Sequence, residues 1–143
     1  MADGKAIKTR PVGATAVMGR TGFPAITSQT NGTLQVVTGL SEPGFNPLDL
    51  LYASLSACIA MSARIAAGKL GVLDRFEGVT VKVSGEKAAD GPSRIGRFDI
   101  QFDIRGDFDE ETRKAIAEAA ESEICTVGNT IRSHPDFVTT HVE

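Results

Sequence analysis

The sequence predicts an α+β fold, with helices packed on one side of a mainly antiparallel sheet. Three observations lead there. Residues 79–84 and 98–105 alternate apolar and polar side chains strictly, the period of strands with one wet face. Two longer stretches carry helix-start signals, one at Asn46 and one at Asp107 or Asp109. The predicted elements run strand, strand, helix, strand, strand, helix, strand.

At the N-terminus, residues 12–17 and 33–38 are short β-branched runs bounded by glycine, proline and asparagine. They read as strands joined through the turn at Thr30, Asn31 and Gly32, an antiparallel start. Asn46 then caps a long helix, with Pro47 at the first position, where a missing N–H costs nothing. Asp49, three residues after the cap, is half of a capping box. Leu51, Leu55, Cys58, Ser62 and Ile65 share one face, and the opposite face is poor in charge down to Met61, so this helix is predicted to be buried nearly all round. It ends near Gly68 or Gly71, with Arg64 and Lys69 set against the negative end of its dipole. Residues 79–84 and 98–105 pair through the turn-rich stretch 88–93 as a hairpin. A second helix, residues 110–124, has Ile116, Ala120 and Ile124 as its inner stripe and acidic residues in its first turn. Residues 137–142, set off by Pro135, read as a closing strand. There is no internal repeat or low-complexity tract, and residues 1–143 are expected to form a single domain.

A chain of 143 residues can bury a proper core without staples. With 41% hydrophobic residues, 23% charged residues and a formal charge of -3, it has the composition of an ordinary globular protein. It lacks the basic surplus of a nucleic-acid binder. The longest apolar run, which contains Asp49 and stops at Arg64, falls short of the roughly 20 residues needed to span a bilayer. The N-terminus has no charged-then-apolar signal pattern, so a cytoplasmic, reducing location is expected. A disulfide closing the long loop between Cys58 and Cys125 would stabilise by about 4 kcal/mol in the chain-entropy model, but reducing conditions keep such a bond open unless it cycles. Two cysteines cannot complete a four-ligand zinc site, and His134 and His141 have no finger-like spacing with them, so no metal is expected. The two histidines are assigned structural or surface positions.

The cysteines sit in very different surroundings. Cys58 lies inside an apolar helical run, and Cys125 follows the acidic stretch ending at Ile124. Taken singly, a free cysteine is most often a small buried hydrophobe. Taken together, they look like a thiol pair for redox chemistry.

The segment Asn46-Pro47-Leu48-Asp49 leading to Ala57-Cys58, followed by Cys125-Thr126-Val127-Gly128-Asn129-Thr130, resembles the OsmC/Ohr family of thiol-dependent peroxidases over nearly the whole chain. The resemblance implies an OsmC-like fold, an interlocked homodimer with a long central helix, and reduction of organic hydroperoxides. By it Cys58 is the peroxidatic cysteine, Cys125 the resolving one, and an external dithiol, dihydrolipoyl in type, the reductant, with no bound cofactor. A buried thiol needs its thiolate stabilised. The family uses an arginine in a Gly-Arg motif, and Gly19-Arg20 falls where that motif is expected, which makes Arg20 the candidate, with Arg64 a weaker alternative. Phe23, Phe45 and Tyr52 could line an apolar entry for the alkyl part of the substrate; core packing is the simpler explanation for each taken singly.

The chain also departs from the family pattern. Leu48 stands where the hydroperoxide-preferring members have a glutamate that holds the arginine, leaving Asp49 either to replace it or simply to cap the helix. Thr126 stands where the family often has proline. If a short helix starts at Cys125, its free N–H groups are expected to lower that thiol's pKa, with Asn129 fixing backbone. The pattern is thus closer to the broad OsmC-like branches than to strict Ohr. Two further classes stay open beside the peroxidase: a non-catalytic small-molecule-binding or stress-response protein, and a thiol sensor or structural dimer with inert cysteines.

Overall fold

The computed structural model describes residues 9–142. They divide into two compact units, one ending at Leu50 and the other starting at Leu51.

The first unit holds a three-stranded antiparallel sheet in the order β1-β2-β3, with β1 at Ala14–Val17, β2 at Ala25–Ser28 and β3 at Thr33–Gln35. The antiparallel start is present, but its wiring differs from the expectation. The turn at Thr30, Asn31 and Gly32 joins β3 to β2, a strand with no clear signal in the sequence, and β2 lies between the two anticipated strands. Asn31 takes a left-handed φ of 70°, as asparagine does more readily than most residues. The Ser28 hydroxyl accepts from the Gly32 N–H at 2.9 Å, tightening the same turn. The third strand stops at Gln35, after which Val36 makes a single parallel bridge to Phe45.

The long helix α1, Pro47–Lys69, starts where the capping signals place it. The Asn46 Oδ1 accepts from the Asp49 N–H at 2.8 Å, and the Asp49 Oδ2 accepts from the Asn46 N–H at 3.1 Å, a reciprocal capping box. At the other end Gly71 adopts a φ of 75°, and the Val72 N–H donates to the Ala67 carbonyl at 2.9 Å, closing the helix as a Schellman-type cap. At 23 residues α1 is long and apolar enough to cross a membrane by length and composition, longer than the apolar run alone suggests. It is instead built into a protein core through Leu55, Ile59, Ala63, Ala66 and Ala67.

The helix is not buried all round within the chain. Its packed face runs through Leu55, Ile59, Ser62, Ala63 and Ala66, while Met61 is 60% exposed and Ile65 47%. The sequence stripe included Ile65 because side-chain hydrophobicity alone defined it; alanines at 63, 66 and 67 form the close-packed face instead.

In the second unit β4, Phe76–Lys87, and β5, Ile95–Gly106, form the predicted hairpin, longer than the strictly alternating segments. Val79, Val81 and Val83 pair with Ile104, Phe102 and Ile100, so all six share one face, and that face packs into the core. Gly85 is required on this face: a Cβ there would lie 2.7 Å from the Arg97 carbonyl and 2.8 Å from the Tyr52 hydroxyl. Helix α2, Glu110–Ala119, is capped by Asp109, whose Oδ1 accepts from the Thr112 N–H at 2.8 Å. Ile116 and Ala120 are fully buried. Residues predicted as its last turn, Ala120–Ile124, widen into a π-helical turn, and the chain re-enters a helix, α3, at Thr126–Ser133.

The predicted closing strand is absent. Residues 134–142 are irregular and pair with no strand among the described residues, with Phe137 92% and Val138 90% exposed. High β-propensity describes the fit of a side chain to a sheet and does not supply a pairing edge. His134 ends α3 with a left-handed φ of 51° just before Pro135, and His141 is exposed.

Candidate active site

Cys58 projects from the middle of α1 and is half-buried; Cys125 is wholly buried between the π-helical turn and α3. Both are free thiols. Cys125 is the N-cap of α3, with extended backbone and its Sγ accepting from the Gly128 N–H at 3.3 Å. A sulfur at this position takes the place of the usual serine or aspartate oxygen and meets one of the orphan donors of a helix start.

The two thiols shift each other in opposite directions. Burial pushes Cys58 up, but this is outweighed by the Val127 N–H, the Cys125 thiol, the Thr126 N–H and the Ser62 hydroxyl, which together hold its pKa below the ordinary thiol value. Burial pushes Cys125 up as well. The Gly128 and Val127 N–H groups work against this, but the neighbouring Cys58 adds to it, and the Cys125 pKa ends above the ordinary value. The N–H groups at the start of α3 do lower Cys125, as expected, but burial and the neighbouring Cys58 outweigh them, so its net shift is upward. The thiolate that forms first is that of Cys58, and Cys125 is its hydrogen-bond donor.

Three of these donors, the Val127 and Thr126 N–H groups and the Ser62 hydroxyl, were not singled out in the sequence as functional. Ser62 is buried one turn beyond Cys58; its hydroxyl donates its single proton to the Cys58 carbonyl at 2.7 Å and can turn it to the thiolate instead. Its spacing on the thiol's own face was the available signal. Thr126, the departure from proline, keeps an N–H that proline lacks, and this N–H is among the groups that lower Cys58.

The other candidates lie as follows. In the first unit Arg20 is exposed in the β1–β2 connection and forms no ion pair with Asp49, which is engaged in the capping box. Phe23 and Phe45 are partly exposed there. In the second unit Tyr52 meets Phe98 edge-on, with ring centroids 6.0 Å apart. Arg64 is exposed on α1. Asn129 behaves as a backbone-fixing residue, its Nδ2 donating to the Glu123 carbonyl at 3.1 Å. No group of three or more potential metal ligands occurs among the described residues.

The family model for OsmC-like protein matches residues 39–140. The chain belongs to the OsmC-like family. Solved structures agree with that placement at the level of fold. An OsmC-like protein from Mycoplasma pneumoniae superposes with a TM-score of 0.72 at 17% identity, covering 88% of this chain and 90% of the other. An organic hydroperoxide resistance protein from Legionella pneumophila gives 0.70 at 22% identity, covering 90% and 93%. The organic hydroperoxide resistance protein OhrB of Bacillus subtilis gives 0.66 at 24% identity, covering 87% and 92%. No curated protein matches the chain in sequence. The OsmC-like α+β fold, with antiparallel sheets and one long helix, is thus established for this chain.

Proposed function

We propose that this OsmC-like protein is a thiol peroxidase that reduces organic hydroperoxides, with Cys58 as the attacking residue and Cys125 as the resolving one. The observation that carries the reading is the unequal pair: Cys58 is held below the ordinary thiol range while its neighbour Cys125 is held above it. Inert core cysteines have no need of such a division, whereas perturbed pairs are frequent where chemistry occurs. The names of the Legionella and Bacillus proteins, both organic hydroperoxide resistance proteins, support a role in peroxide resistance.

In the first step the Cys58 thiolate attacks one oxygen of the peroxide, forming an S–O bond as the O–O bond breaks. The alkoxide takes a proton and leaves as alcohol, and Cys58 is left as a sulfenic acid. This step removes the negative charge beside Cys125. One of the causes that raises the Cys125 pKa then disappears, so the second thiol is easier to ionise when it is needed. Cys125 attacks the sulfenic sulfur, water departs and a disulfide remains, which an external dithiol, dihydrolipoyl in type, reduces by exchange. The family resemblance supplies two further roles, Arg20 as a donor to the peroxide and Phe23, Phe45 and Tyr52 as apolar residues for its alkyl part, and Arg20→Ala with unchanged hydroperoxide reactivity would remove the first. Asp49 orders the start of α1, and whether it also meets Arg20 is settled by comparing the hydroperoxide reactivity of Arg20→Ala and Asp49→Asn. The same reading expects a cytoplasmic homodimer; the exposed Met61 and Ile65 on α1 are apolar surface suited to a second copy, and light scattering on the purified protein tests the dimer.

The experiment that tests the peroxidase uses two single variants with cumene hydroperoxide and a sulfenic-acid trap. Cys125→Ser should accumulate a trapped sulfenic acid at Cys58, and Cys58→Ser should not react. Unreactive Cys58 in both the parent and Cys125→Ser would instead support the other reading, an OsmC-like protein that binds small molecules without turnover.

A further inference from the structure

The N–H groups that serve Cys58 come from a helix that cannot hold itself in place. Helix α3 has eight residues, below the length at which an isolated helix is stable in water, so its position depends on what ties it down. The preceding π-helical turn ends with carbonyls that have no donor within the helix. Two α3 side chains reach back to them. Asn129 Nδ2 donates to the Glu123 carbonyl, and Arg132 Nη1 donates to the Glu121 carbonyl at 3.1 Å. Arg132 Nη2 also pairs with the Glu121 carboxylate, so one guanidinium grips both the backbone and the side chain of the same residue.

This grip sits close to the thiol pair. Arg132 Nη1 lies 3.4 Å from where a Cβ on Gly128 would be, and Gly128 is the residue whose N–H meets Cys125. A cavity of about 60 Å³ is lined by Glu121, Gly128 and Arg132 together with Leu55 and Ile59, residues of α1 that flank Cys58 in sequence. We propose that Arg132 and Glu121 form a clamp that sets the start of α3 against Cys58, making Arg132 a positioning residue for the reactive thiol. The inference rests on the reading of Cys58 as that thiol.

An ion pair this exposed adds little to global stability, so the clamp acts on position. Hydrogen bonds weaken steeply with misalignment, and a thiolate that loses its donors keeps the cost of its burial. Loss of the clamp should therefore make Cys58 harder to ionise while the fold persists.

The test is the pH profile of iodoacetamide alkylation, read separately for each cysteine by peptide mass spectrometry, in the parent, Arg132→Gln, Arg132→Lys and Glu121→Gln. Circular dichroism verifies folding. Arg132→Gln should move the Cys58 midpoint to higher pH and slow its alkylation at neutral pH several-fold. Arg132→Lys should recover part of the loss, and Glu121→Gln, which keeps the backbone bond, should shift the midpoint less. Should Arg132→Gln fail to fold, Glu121→Gln alone carries the comparison, together with faster amide exchange at residues 126–128. Folded variants whose Cys58 profile coincides with a low-midpoint parent would overturn the clamp and leave the peroxidase reading standing. A parent whose Cys58 titrates like an ordinary thiol would overturn both.

Discussion

Cys125 caps helix α3 by accepting the Gly128 N–H on its sulfur at 3.3 Å, so the second thiol of the pair is also the first structural element of the helix that serves the other thiol. Any chemistry at Cys125 must therefore disturb the α3 start, and any movement of that start must be felt at Cys58. The two cysteines thus share one helix start as well as an electrostatic environment.

The first prediction concerns pH. Cys58 is lowered and Cys125 raised, so alkylation of Cys58 should reach half its maximum below the ordinary thiol value and Cys125 above it, measured cysteine by cysteine in the reduced protein. The stability linkage has opposite signs. The Cys58 contribution is fully present above the unfolded thiol value and is lost as pH falls through its folded value. The Cys125 contribution is present below the unfolded value and is lost as pH rises through its folded value. Urea midpoints across the neutral to alkaline range would register the balance.

Thr126→Pro removes one N–H from the Cys58 environment at the first position of a helix, where proline is well tolerated. The protein should fold with little change in melting temperature, while Cys58 alkylation shifts to higher pH. A Cys58 profile that does not move would remove Thr126 from the site.

Ser62→Ala separates packing from chemistry in a similar way. Alanine is the better helix former, and the Cys58 carbonyl keeps its ordinary helical partner, so stability should change by about 1 kcal/mol or less. The Cys58 pKa should nevertheless rise, because the hydroxyl is one of the groups that lower it.

Core substitutions should behave differently from all of these. Ile116 is fully buried and joins α2 to the cluster that contains Ile59 and Ile104. Ile116→Ala should cost about 2–5 kcal/mol in denaturant unfolding through lost burial and a residual cavity.

Much of the fold is legible in the sequence where local signals agree with one another. Asn46, Pro47 and Asp49 mark the start of α1 by independent means, and the strict alternation in β4 and β5 leaves little choice of pairing. Elsewhere a single signal misleads. The run Ala25–Ser28 is too short and mixed to stand out, yet it becomes the middle strand because two neighbours offer edges to it. The β-branched tail around Val138 stands out, yet finds no partner edge among the described residues. At the site, the pairing of Cys58 with Cys125 rests on resemblance in the sequence, and the compensation that a buried thiolate needs points there to a cation. The compensation in the second unit comes largely from main-chain N–H groups, which every residue except proline carries and which no side-chain pattern announces. The same holds for Arg132, whose role depends on a π-helical turn that periodicity reads as ordinary helix.

The central claim is that Cys58 and Cys125 work as one redox pair. Non-reducing peptide mapping after one equivalent of cumene hydroperoxide tests it most directly. The account predicts a single new crosslinked peptide joining Cys58 to Cys125, reversed by dihydrolipoamide; recovery of both cysteines as free thiols would contradict it.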